Sequence, residues 1–136
     1  MRHSKLISSS LALLLACAAR AQSTNRTPWV GVWQGELEGQ PAVTLTLAED
    51  NSELGGTIVL NMVSREGGTP HVIGSTVHMV LHPIVEGNNL SFDVKRPSDA
   101  KLLKMAVVLE ENGKMKLECV NCGPDHATTE LVKSRP

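Results

Sequence analysis

The residues with the richest potential chemistry are Cys119, Cys122 and His126, which together spell Cys-x2-Cys-x3-His. Three chemistries fit that spacing. Two thiolates and an imidazole could ligate a metal ion, provided that His71, His78 or His82 supplies the fourth ligand. Two free thiols could act in redox exchange, but that role favours a thiolate at a helix N-terminus, and here Gly123-Pro124 follows an extended stretch. In an oxidising compartment the pair closes instead into a short disulfide, which would stiffen the turn before the last strand. The disulfide between Cys119 and Cys122 is the leading expectation. Its loop is so short that the gain in chain entropy is small. Haem attachment is excluded because Gly, not His, follows Cys122. No metal or cofactor is expected.

His78 and His82 lie four apart with Val80 between them, roughly 13 Å along an extended strand. That is too far to share a metal, so they read as surface residues that flank an inward-facing Val77, Met79 and Leu81. Met62, Met79, Met105 and Met115 fall on inward positions of their segments, where flexible thioethers fill a core or line an adaptable apolar pocket. The chain carries no Gly-x-Ser-x-Gly elbow, no His-Glu-x-x-His helix, no phosphate loop and no Gly-x-Gly-x-x-Gly. Its acids gather in turns, as in Glu49-Asp50 and Glu110-Glu111, where solvated charge is expected. An enzyme is not expected. Asn25-Arg26-Thr27 and Asn89-Leu90-Ser91 match glycosylation acceptors, idle behind a bacterial type of leader.

Positioning these residues falls to strands. The chain has 136 residues, 41% hydrophobic, 20% charged and 2% aromatic, enough for one small domain. Val43, Leu45 and Leu47 alternate with Thr44 and Thr46, and the same period of two returns in residues 54–62, 90–95 and 115–119. Glu49-Asp50-Asn51-Ser52, Glu66-Gly67-Gly68-Thr69 and Glu86-Gly87-Asn88-Asn89 punctuate them, and Asn112-Gly113 is the strongest hairpin signal, suited to a type I′ turn. About eight strands follow, over residues 29–38, 42–49, 54–64, 71–82, 90–95, 102–110, 114–120 and 128–133. Short antiparallel connections favour closing them into an up-and-down barrel, with a two-sheet sandwich as the alternative.

The first 21 residues have the form of a signal peptide: Arg2 and Lys5, then an uncharged run from Leu6 to Ala16, then Ala19-Arg20-Ala21 before the cut. The run is about half the length of a membrane-spanning helix. In the alternative, Leu14-Leu15-Ala16-Cys17 resembles a lipobox, and Cys17 would be lipidated and hold the domain on the envelope. Either route exports the protein, to the periplasm or beyond. Losing residues 1–21 removes three bases and no acid, which takes the formal net charge from −1 to −4. With no basic cluster and few aromatic residues, nucleic acid is excluded as a partner. Residues 22–28 read as a flexible tether and residues 29–136 as the barrel domain.

The opening Trp29-Val30-Gly31-Val32-Trp33-Gln34-Gly35 resembles the Gly-x-Trp start of lipocalin-like (calycin) barrels. Leu54-Gly55-Gly56-Thr57-Ile58 is similar to the second hairpin of avidin-type barrels. The run from Gly31 through Trp33, Gly35, Leu37, Gly39, Pro41 and Leu47 resembles small exported bacterial proteins with no assigned activity. The resemblance implies a barrel in which Trp33 packs across the closed end, and no reaction. Biotin binding is not implied, because Trp29 and Trp33 are the only tryptophans. The expected function is non-enzymatic binding of a small apolar ligand inside the barrel, among Trp33, Val43, Leu45, Leu60, Met62, Met79, Phe92 and Met105. The alternative is an envelope protein-binding module, such as a hydrolase inhibitor, acting through its loops.

Overall fold

The computed structural model describes residues 27–123 and 128–135. The expected leader, Cys17, most of the tether and His126 lie outside the described residues. A single 3₁₀ turn, Thr27–Trp29, is followed by nine strands: β1 Gly31–Leu37, β2 Gln40–Asp50, β3 Glu53–Ser64, β4 His71–Met79, β5 Leu81–Glu86, β6 Asn89–Lys95, β7 Leu102–Leu109, β8 Met115–Cys119 and β9 Thr128–Lys133. All pairings are antiparallel, in the order β4-β3-β2-β1-β9-β8-β7-β6-β5. The sheet curls into a half-barrel, and, as the alternating pattern requires, one of its faces packs around a common core. No helix among the described residues is long and apolar enough to cross a membrane.

Period-two burial is clearest in β2, where Val43, Leu45 and Leu47 are buried, and in β6, where Leu90, Phe92 and Val94 are. They join Trp29, Trp33, Ile58, Val107, Met115, Leu117 and Leu131 in one cluster. The Trp33 indole donates to the Trp29 carbonyl at 2.9 Å, so the buried N–H is satisfied. Across the join between the two wings, β9 meets β1 at Gly35, where a Cβ would strike Leu131 and Thr129 at 2.7 Å. Only glycine lets those strands approach so closely.

Three local expectations differ from the structure. Residues 71–82 are not one strand: β4 ends at Met79, the buried Val80 extends its ladder by one N–H to the Gly56 carbonyl at 3.0 Å, and past the left-handed His82 a ninth strand, β5, pairs with β6 instead of β3. Secondly, the Asn112-Gly113 hairpin exists, but only Gly113 takes positive φ, at 79°. Glu110 and Lys114 are joined backbone to backbone, and Asn112 Oδ1 accepts from the Lys114 N–H at 3.0 Å, so the turn is longer than type I′. Both central residues do take positive φ at Glu38-Gly39 and at Asn51-Ser52. Thirdly, the expected tether ends inside the fold, since Thr27–Trp29 forms the 3₁₀ turn that buries Trp29.

Candidate binding surface

Of the residues expected to face a ligand, Trp33, Val43, Leu45, Phe92 and Met105 meet in the buried cluster, packed against one another, and Leu60 borders it. Met62 and Met79 do not join them. The alternation that was to turn Val77 and Met79 inward runs the other way, because His78 pairs with Ile58, a core residue, and Val77 and Met79 therefore point outward at 68% and 61% exposure. Met62 shares the inner row of Ile58 but lies past the core at 58% exposure, beside Gly74.

Cys119 and Cys122 are bridged, with their Cα atoms 5.5 Å apart. The Asn121 side chain between them was not singled out by the sequence. Its Oδ1 accepts from the Lys104 N–H at 2.7 Å and its Nδ2 donates to the Leu102 carbonyl at 3.2 Å. This ties the turn to the start of β7 and holds the two sulfurs together. Among the described residues no three His, Cys, Asp or Glu side chains gather as a metal site. His82 instead faces Asp93 at 3.0 Å, His78 faces the Thr76 hydroxyl at 2.9 Å and His71 the Thr69 carbonyl at 2.9 Å.

The feature that the sequence analysis missed is the pair of free edges. β4 and β5 are the outermost strands of the sheet, and all of β4 and β5 except Glu86 comes from residues 67–85, nineteen consecutive residues without Asp, Glu, Lys or Arg. An unpaired edge normally carries a device that blocks pairing. β5 has several: Pro83, the left-handed His82 at φ 50°, a break in register between Leu81 and Ile84, and a terminal Glu86. β4 has one bulge near its start, opposite Met62 and Val63, and is then regular through residues 74–79 with neither charge nor proline. Its outward side chains Ile73, Val77 and Met79 are all more than half exposed.

Beside that edge lies a cleft of about 320 Å³ lined by Val77, His78, Met79 and Leu81 on one side and Lys95, Arg96 and Pro97 on the other. Arg96 is held in a two-point pair with Asp99, through Nε at 2.8 Å and a second, shorter contact from its NH2 group. That hydrogen bond from Arg96, together with one from the Lys101 N–H, lowers the Asp99 carboxyl to about 2. Lys95 makes no ion pair among the described residues, so it is the cation the cleft has to offer. A larger recess of about 490 Å³ on the outer side of β1 and β9 is walled by Gln34, Glu36, Glu130 and Lys133, all solvated groups. The arrangement at β4 can make backbone hydrogen bonds to an extended segment and cover apolar side chains. The chain matches no family model, no curated protein and no solved structure.

Proposed function

We propose that this is an exported, non-enzymatic binding protein of lipocalin-like architecture that recognises another polypeptide by adding its strand to the free edge of β4. One observation carries the reading: β5 is guarded by Pro83, a left-handed His82 and Glu86, whereas β4 carries neither charge nor proline over residues 74–79 and is flanked by Lys95, Arg96 and Pro97 only from Val77 onward. Main-chain pairing supplies the affinity in this mode and alternate side chains the selectivity. This takes up the alternative drawn from the sequence, a protein-binding module, in place of the leading expectation of a ligand inside the barrel, and moves its contact from the loops to the edge strand.

A fluorescent peptide of alternating Thr and Val, unrelated to this chain, tests the reading. It is expected to bind saturably by anisotropy and to bind about tenfold more weakly to the Ile73→Lys/Val77→Lys variant, which guards the edge with charge. Equal binding to both proteins, or none to either, overturns the reading. Both side chains are exposed, so the double variant keeps its fold, which circular dichroism verifies.

A second reading is favoured by the cleft at Val77, Met79 and Lys95, which has the volume of a small-ligand site. There the small apolar guest lies at the seam of the half-barrel and not among Trp33, Leu45 and Phe92. Extraction of the purified protein followed by mass spectrometry would then yield one guest per chain, displaced by the peptide.

A further inference from the structure

We infer that the polypeptide received by β4 is one that ends there: the strand added at residues 74–76 finishes with a free α-carboxylate and an apolar last side chain, both held in the cleft beside Val77 and Lys95. The inference rests on the edge-strand reading above and names the class of partner. Backbone direction sets how much edge is free. The Val80 N–H bonds to the Gly56 carbonyl, so by alternation His78 and Thr76 turn their main-chain groups to β3, and Met79, Val77 and Ser75 turn theirs outward. β6 pairs with β5 only as far as Asp93, opposite Leu81, and Lys95, Arg96 and Pro97 run on beside the end of β4. An incoming strand therefore has the edge to itself over residues 74–76 and meets those three residues from Val77 onward. The cleft receives the end of a strand and not its middle.

The charge of the cleft decides which end. Arg96 is held by Asp99, while Lys95 makes no ion pair among the described residues, so the site presents one cation without a partner. Lys95 repels a terminal ammonium and attracts a terminal carboxylate, which orients the guest strand parallel to β4 with its last residue at the cleft. The walls decide the last side chain. Val77, Met79, Leu81 and Pro97 offer apolar surface around about 320 Å³, room for an aliphatic or aromatic side chain. So short a stretch of edge gives few main-chain hydrogen bonds. The terminal residue must then carry much of the affinity and most of the selectivity.

The test uses the alternating Thr-Val peptide with its dye on the N-terminus, made once with a free C-terminal Val and once as the C-terminal amide. The amide is the form to set against the Ile73→Lys/Val77→Lys variant, since lysines added at the edge would attract a carboxylate. By anisotropy the acid is expected to bind the full chain about tenfold more tightly than the amide, and added salt to narrow the gap. Lys95→Gln is expected to bind both forms alike, at the level of the amide, whereas Lys116→Gln on β8 keeps the full difference. Replacing the last Val of the acid by Ser should weaken it severalfold. Equal binding of acid and amide by the wild-type chain, or a difference that persists in Lys95→Gln, overturns the inference and leaves the edge-strand reading standing. If neither form binds, both fall. Dodecanoate that binds one per chain and depends on Lys95, while the two peptides bind alike, assigns the cleft to a small anion and likewise overturns the inference.

Discussion

Asp99 shows how a single side chain can organise a turn without being buried. It accepts from Arg96 Nε and from the Lys101 N–H, and the Arg96 hydrogen bond is the larger of the influences that take its carboxyl down to about 2. An unperturbed Asp titrates near ~3.9, so the folded value lies below the unfolded one. The pairing is therefore complete above the unfolded value and is lost as pH falls through about 2. An NMR titration of the Asp99 carboxyl should show a midpoint near 2, and Arg96→Gln should return it towards the ordinary carboxylate range. A wild-type midpoint in that ordinary range would refute the assignment. The sequence displayed Cys119 and Cys122 plainly, because two cysteines three residues apart can close into a short disulfide, the leading chemistry of the three their spacing admits. It did not display Asn121, whose two hydrogen bonds reach back to Leu102 and Lys104, a distance along the chain that no local pattern encodes.

Strand by strand, legibility follows how many buried neighbours a strand has. β2 and β6 lie between two others and alternate without interruption, so Val43, Leu45, Phe92 and Val94 could be placed from the sequence. β4 has one neighbour and a bulge, and its inner row is set by the pairing of Ile58 with His78, a long-range event that reverses the orientation expected of Val77 and Met79. Val80 hides the boundary with β5, since an apolar residue flanked by apolar residues looks like continued strand, and its N–H does extend the ladder to Gly56; the break comes at the left-handed His82 and the change of partner to β6. The difference between an interior and an exposed position is directly measurable. Phe92→Ala empties a buried site on β6 and should cost about 3–5 kcal/mol in urea denaturation. Met62→Ala, on a side chain already in solvent, should change stability by less than ~0.5 kcal/mol. Comparable losses for both would place Met62 in the core after all.

At the scale of the whole molecule, the packed core and the proposed contact strand lie in different parts of one sheet. The centre, where β1 and β9 join the wings, is knit by Trp29, Trp33, Leu131 and the close approach at Gly35. The periphery consists of two strands that each hydrogen-bond on one side only. Local opening is easiest where backbone groups face water and buried contacts are few. Amide hydrogen exchange at high dilution should therefore be slowest at Leu45, Val107 and Leu117 and fast along the outward-facing amides of both β4 and β5. Adding the Thr-Val peptide separates the two edges. On the proposed reading it protects β4 at residues 74–76, while Pro83, the left-handed His82 and Glu86 leave β5 as exchangeable as before. Equal protection of both edges would mean that the blocking features of β5 do not distinguish it from β4, and the asymmetry on which the binding surface was assigned would lose its physical basis.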